Sequence, residues 1–169
     1  MTTNPEDAPD HVAVVMAQWG AERPELDVSP LAVIGRLHRL GARLTEELVA
    51  VYGEFGLGEG EFDVMATLRR SGAPYELTPG ALAAGTMVTS GAITKRVDRC
   101  VQQGWVTRRV SDQDGRGRVI ALTPAGRELM DRAFEAHIAN EHRLVGLLPA
   151  DDRATLARIL EAWGRSLGG

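Results

Sequence analysis

The sequence is poor in cysteine and has no long apolar run. Its single cysteine, Cys100, cannot form a disulfide within the chain, which is compatible with a reducing cytosol. No apolar run approaches the ~20 residues that a membrane helix needs. The first ten residues carry acids and no base, unlike a secretory signal, and indicate a short disordered tail. We therefore expect a cytoplasmic protein without a membrane span.

The residue patterns of metal sites and of enzymes are also missing. The four histidines are scattered at positions 11, 38, 137 and 142, and they do not follow a zinc-binding spacing. No glycine-rich phosphate loop follows a predicted strand, and no Ser-His-Asp or Cys-His arrangement is suggested. The sequence predicts neither a metal site nor a cofactor, and it does not favour an enzyme.

Charge is distributed unevenly along the chain, and lysine is nearly absent. Lys95 is the only lysine among 19 basic residues. The segment from Glu76 to Arg127 has eight bases and four acids, a net charge of +4, whereas the remainder has 11 bases and 19 acids, a net charge of −8. A basic segment inside an acidic chain suggests a polyanion as its partner. A solvated basic face would carry the same charge, so charge alone leaves both interpretations open.

Hydrophobic periodicity and cap residues predict a mainly helical chain. Ser-Pro or Thr-Pro pairs at 29–30, 78–79 and 123–124 are typical helix starts, and glycines at 53, 56, 72, 85 and 104 are predicted to end helices or turn the chain. The predicted helices are 10–20, 30–53, 61–70, 79–84, 88–103, 124–148 and a last one ending near 167, with strands at 75–77, 105–110 and 118–122. The short helix, turn and helix over 79–103 form a helix-turn-helix unit, and the basic hairpin after it is a wing.

The second helix of this unit has one face for the core and one for a partner. The apolar face is formed by Ile93, Val97, Cys100 and Val101, and the opposite face by Gly91, Lys95, Asp98 and Arg99. The N-terminal half of such a helix enters the major groove of DNA. The DNA-contacting residues predicted on it are Thr89, Ser90, Gly91, Thr94, Lys95 and Arg99. Thr89 and Ser90 suit phosphate at the positive end of the helix dipole, and Lys95 could bind a guanine edge or a phosphate.

The hairpin loop is predicted to supply a second DNA contact. Arg116 stands at a glycine-flanked tip, from which it can enter a narrow minor groove, and Arg118 follows in the next strand. Asp114 can pair with Arg116 when DNA is absent. The alternative is a solvated turn with a local ion pair.

Several motifs of this region resemble the MarR family of winged-helix transcription regulators. The runs that carry the resemblance are LTPGALA at 77–83, VTSGAIT at 88–94, GWVTR at 104–108, DGR at 114–116 and IALTPAG at 120–126. The match covers about 29–167 and is densest over 77–126. The family usually has an arginine beside the wing aspartate, where this chain has Gly115; Arg116 remains, and Arg118 is a candidate to compensate.

The resemblance implies a mainly α fold in which a winged helix-turn-helix DNA-binding domain is flanked by N- and C-terminal dimerisation helices. The expected regions are an N-terminal tail with an added helix (1–28), a dimerisation helix (29–56), the DNA-binding region (57–122) and C-terminal dimerisation helices (123–169). It also implies a homodimer on an inverted-repeat operator in double-stranded DNA, most often as a repressor. The apolar stripes of the terminal helices fit a dimer, although they could instead cover only their own core.

Three further residues resemble the urate-responsive subgroup of this family. Trp19 on the added helix, Asp63 in the second core helix and Arg96 on the recognition helix match its ligand site. The resemblance implies that a small anionic effector, a urate-like purine or a small carboxylate, pairs with Arg96, stacks on Trp19 and is repelled by Asp63. Alternatively, Trp19 anchors its helix, Asp63 is a solvated first-turn carboxylate and Arg96 contacts phosphate.

A second class of function stays open at this level. A winged helix can also serve as a protein-interaction module or as an architectural DNA-binding module without an effector. The cluster of Lys95, Arg99 and Arg116 favours DNA over protein as the partner. Sequence-selective and salt-dependent DNA binding would discriminate between these possibilities.

Overall fold

A computed structural model describes residues 8–86, 93–110 and 117–168 of the chain. These residues are mainly helical, with one small antiparallel sheet, as predicted. The elements in chain order are α1 (His11–Glu22), α2 (Leu31–Glu54), α3 (Glu59–Arg70), β1 (Glu76–Leu77), α4 (Pro79–Gly85), α5 (Ile93–Gln102), β2 (Val106–Val110), β3 (Arg118–Leu122), α6 (Pro124–Val145) and α7 (Ala150–Ser166). Within this part of the chain, no helix is long and apolar enough to cross a membrane.

The Thr-Pro pairs begin helices as predicted. The Thr78 hydroxyl accepts a hydrogen bond from the Ala81 N–H at 3.2 Å, and the Thr123 hydroxyl accepts one from the Gly126 N–H at 3.0 Å. In both cases proline occupies the first turn, where no intrahelical N–H bond is lost. These caps set the starts of α4 and α6.

The prediction that Gly53 ends α2 is wrong in detail. Gly53 lies inside α2, and the chain turns at Gly56, whose φ of +71° suits a residue without a side chain. Gly85 is the last residue of α4, as predicted for a glycine that ends a helix, and Thr86 follows in an extended conformation. Cap geometry decides where a helix ends, and the presence of a glycine alone does not reveal it.

The chain divides into two compact units, residues 1–47 and residues 48–169. In the first unit, α1 packs through Val12 against Gly35 of α2, where an added Cβ would lie 3.1 Å from the valine side chain. Asp10 caps α1 by accepting from the Ala13 N–H at 2.8 Å and also accepts from Arg36 at 2.7 Å. The hydrogen bond from Arg36 lowers the pKa of the Asp10 carboxyl group, because it favours the charged form.

The second unit contains a core of α3, α4, α5, α6 and the sheet. Its fully buried side chains include Val64, Met65, Leu68, Leu82 and Met130. The sheet has the order β1-β3-β2, and Val106 of β2 pairs with Leu122 of β3 in antiparallel register. The two strands that follow α5 in the chain, β2 and β3, therefore form an antiparallel pair, which is the arrangement of the wing in a winged helix.

Candidate DNA interface and effector site

Helix α5 packs on the core by the face that the sequence predicts. Val97 and Cys100 are buried, and Ile93 and Val101 pack against the same core. Burial raises the pKa of the Cys100 thiol to about 12, so Cys100 is a protonated core residue at neutral pH. The rotation of α5 about its axis is thus set by its apolar contacts.

The opposite face of α5 is open to solvent. Thr94, Lys95 and Arg99 are exposed, in agreement with the side predicted to face DNA. Asp98 accepts a hydrogen bond from Arg108 of β2 at 2.5 Å, which joins the helix to the wing strand. In the first turn of the described helix, Lys95 is an exposed cation, whereas Arg96 is half-buried and lies against Gly60.

Part of the predicted interface lies outside the described residues. Thr89, Ser90, Gly91 and Arg116 fall in this category, together with Asp114 and Gly115. Arg118 is described, and it is an exposed residue at the start of β3, paired in register with Val110. A cleft of about 230 Å³ separates α5 from β2 and β3, and both Arg108 and Arg118 line it. The exposed guanidinium group of Arg118 suits a polyanion, whereas that of Arg108 is paired with Asp98.

The effector residues lie on three different helices. Asp63 of α3 is buried, with 7% of its surface exposed, so it is not a solvated carboxylate. Arg96 of α5 extends along the backbone of Gly60, where an added Cβ would lie 2.5 Å from its Nε atom. Gly60 precedes Asp63 by one helical turn, so Arg96 lies at the N-terminal end of the helix that carries Asp63. Trp19 belongs to α1 in the first unit, and 48% of its surface is exposed in the single chain.

Sequence reasoning did not find the role of Glu61. Its carboxylate is buried; Oε2 accepts a hydrogen bond from the Gly58 N–H at 3.0 Å, and Oε1 lies 3.3 Å from Nε of Arg99. Arg99, predicted to contact DNA, is therefore in contact with α3 as well as being open to solvent. The available signal was the run Gly-Glu-Gly-Glu at 58–61, because glycine in a first helical turn often admits a close neighbour.

A helix-turn-helix unit followed by an antiparallel hairpin defines the winged helix-turn-helix class of proteins. The model of the MarR family matches residues 55–117, which include α3, α4, α5 and β2. The regulator PecS of Dickeya dadantii is 36% identical over 149 residues, which are 88% of this chain and 90% of PecS. On this similarity, the chain belongs to the MarR family of transcription regulators.

Solved structures have the same fold. A mutant MarR of E. coli complexed with operator DNA has a TM-score of 0.68 at 26% identity, covering 81% of this chain and 98% of that one. A MarR family protein of Mycobacterium tuberculosis, in complex with p-aminosalicylic acid, has a TM-score of 0.61 at 30% identity, covering 78% of this chain and 98% of that one.

Proposed function

We propose that the protein is a homodimeric DNA-binding transcription regulator that represses by occupying an inverted-repeat operator. The observation that carries this proposal is the exposed face of α5, with Thr94 and Lys95 in solvent while the other face is buried in the core. Arg118 extends the positive surface onto the wing strand β3, while the charge of Arg108 is paired with Asp98. The operator complex of the similar E. coli protein supports DNA as the partner.

The dimer is supported by apolar side chains that the single chain leaves in solvent. They lie on α2 and on the C-terminal helices and include Val33, Ile34, Leu40, Leu156, Ile159 and Leu160, each between 37% and 52% exposed. Exposed apolar side chains in such numbers on helices are typical of an interface. We assign 29–56 and 123–169 to dimerisation and 57–122 to DNA binding, and two copies related by a two-fold axis would read two half-sites.

The proposed effector is a small anion, either a urate-like purine or a small carboxylate. Arg96 would pair with the anion, Asp63 would repel it, and Trp19 would offer an aromatic surface. Because Arg96 belongs to α5, drawing it toward a ligand would move the helix that reads DNA. The M. tuberculosis relative with bound p-aminosalicylic acid, an aromatic carboxylate, supports this chemical class.

A fluorescence-anisotropy titration tests both parts of the proposal. Labelled DNA from upstream of the protein's own gene is titrated with protein beside a scrambled duplex of the same length. The complex is then titrated with urate, xanthine, citrate, aconitate and p-aminosalicylate. Preference for the upstream DNA and its release by one of these anions are expected. Equal affinity for both duplexes would favour an architectural DNA-binding module, and a lack of DNA binding would favour a protein-interaction module.

Variants of the three effector residues should separate their roles. Trp19→Ala is expected to lose the ligand response with nearly unchanged DNA affinity. Arg96→Ala should lose ligand affinity, and Asp63→Asn should bind ligand but release DNA poorly, because a ligand shifts the equilibrium only by its preference for one state. If no anion releases DNA at millimolar concentration and Trp19→Ala behaves as wild type, these residues are structural.

A further inference from the structure

The first turn of α3 has an unusual composition for the start of a helix. Residues 58–61 read Gly-Glu-Gly-Glu, and Gly60 lies inside the helix. Glycine is among the least favourable residues inside a helix. Glycine at position 60 is therefore best explained by a neighbouring group that a larger side chain would displace.

That contact is the side chain of Arg96. A Cβ on Gly60 would lie 2.5, 2.6 and 2.9 Å from Nε, Cδ and Cγ of Arg96, closer than unbonded heavy atoms approach. The arginine stem thus runs directly over the backbone of α3. Any side chain at position 60 would displace Arg96 from this place.

Glu61, the residue after Gly60 in α3, contacts Arg99, which lies one turn after Arg96 in α5. One oxygen of the buried Glu61 carboxylate accepts from the Gly58 N–H at 3.0 Å, and the other lies 3.3 Å from Nε of Arg99. A Cβ on Gly58 would lie 2.4 Å from Oε2, so glycine at position 58 leaves room for this carboxylate. The Glu61 charge is therefore held in one place by the helix start, and Arg99 meets a fixed partner.

Arg96 and Arg99 are three residues apart and share one side of α5. We propose that Gly60 and Glu61, here called the α3 seat, set the position of α5 on the scaffold, and that Arg99 is a positioning residue acting through Glu61 and not a DNA contact. This inference rests on the proposed function, because the position of α5 matters for operator selectivity. Lys95 lies one turn before Arg99 in α5, so a contact that fixes α5 at Arg99 also fixes the position of Lys95 relative to the scaffold.

Glu61→Gln is the principal test. The glutamine oxygen can still accept from the Gly58 N–H, while the charge that holds Arg99 is removed. Glu59→Gln is the matched control, since Glu59 is an exposed carboxylate in the same helical turn and its loss changes the net charge equally. Operator and scrambled DNA are titrated at several salt concentrations, and amide hydrogen exchange is followed over 93–102 in the free protein.

Glu61→Gln and Arg99→Gln are each expected to weaken operator binding by about fivefold or more, within the usual range of site coupling. Affinity for scrambled DNA and the salt slope should stay unchanged, and exchange over 93–102 should become faster. The double variant should be no weaker than the weaker single variant, because both remove one interaction. Glu59→Gln should match wild type in all four measurements.

Gly60→Ala tests the other half of the α3 seat without weakening the helix. Alanine raises helix propensity, and Gly53→Ala is the control, because Gly53 is also helical and an added Cβ there meets nothing within 4 Å. Gly60→Ala should keep or raise the melting temperature while lowering operator selectivity. Gly53→Ala should alter neither the selectivity nor the exchange of α5.

Two results would overturn the α3 seat. One is a loss of about one in the salt slope for Arg99→Gln with Glu61→Gln unchanged, which would make Arg99 a phosphate contact. The other is identical hydrogen exchange and selectivity in Glu61→Gln, Gly60→Ala and their controls. Failure of the proposed function is distinct, because wild-type protein would then show no preference for the operator. The hydrogen exchange of α5 would still report on the α3 seat in that case.

Discussion

Among the glycines that the structure describes with their surroundings, Gly126 leaves the least room for a side chain. A Cβ there would lie 2.0 Å from the carbonyl oxygen of Trp105, and this oxygen also accepts from the Thr123 N–H at 3.0 Å. Gly126→Ala must therefore push backbone apart, with an expected cost of about 1–3 kcal/mol or more, as for overpacking. Urea denaturation measures the loss, with Gly80→Ala as the control because its Cβ would meet nothing within 4 Å. Equal stability of the two variants would contradict this close approach.

Cys100 should make the stability of the protein fall at alkaline pH. Its pKa is raised by burial from 9.0 to about 12, so the folded state holds a proton that the unfolded state loses first. The stabilisation is complete below pH 9 and is lost as the pH rises toward 12. Urea midpoints at pH 8 and pH 10.5 should diverge more for wild type than for Cys100→Ala. The same divergence in both proteins would assign the loss to other groups, among them Tyr52, whose pKa burial raises to about 12.

At the scale of the element, the exposed face of α5 gives the sharpest prediction. Lys95→Ala should weaken operator binding by roughly tenfold, since one good base contact is worth about 1–3 kcal/mol. If Lys95 binds phosphate, the loss will be similar on all sequences and the salt slope will fall by about one. Arg158→Ala is the control, because it removes the same charge from an exposed position of α7. Unchanged affinity of Lys95→Ala would remove this residue from the interface.

The tip of the wing carries a DNA contact that only the sequence predicts. The strands β2 and β3 and their register are described, whereas the tip with Arg116 lies outside the described residues. Arg116→Ala is expected to weaken operator binding while leaving the proposed dimer intact, which size-exclusion chromatography and anisotropy together would show. Wild-type affinity at moderate salt would exclude the minor-groove contact.

At the scale of the whole molecule, the main prediction is a homodimer at micromolar concentration. An interface of at least ~2,000 Å² is expected, as in obligate dimers. Ile159→Glu should give a monomer by light scattering, because it places a charge among the exposed apolar residues of α7. Arg158→Glu, one position away on another side of the helix, should leave the dimer intact. A monomeric wild-type mass would refute the dimer.

Removal of residues 1–28, which contain α1, tests whether this helix serves the dimer or the ligand response. The main interface is expected to begin with α2, so the shortened chain should remain dimeric and bind operator. The anion response should be lost together with Trp19. Retention of the full response would show that α1 takes no part in ligand binding.

The sequence by itself determined the order of the elements and the starts of α4 and α6. Thr78-Pro79 and Thr123-Pro124 specify helix starts, and the apolar residues of α5 specify its buried side, because these signals depend on neighbours within one or two turns. Local chemistry of this kind is present in the sequence before any tertiary contact forms.

Only the tertiary structure decided which charged groups meet. Arg99 pairs with Glu61, 38 positions earlier, and Asp98 pairs with Arg108 of the wing strand. Arg96 extends over Gly60 of α3, and no periodicity in the sequence predicts that contact. Periodicity assigns a residue to a face, whereas the partner of a long side chain depends on which helix the core packing brings beside it.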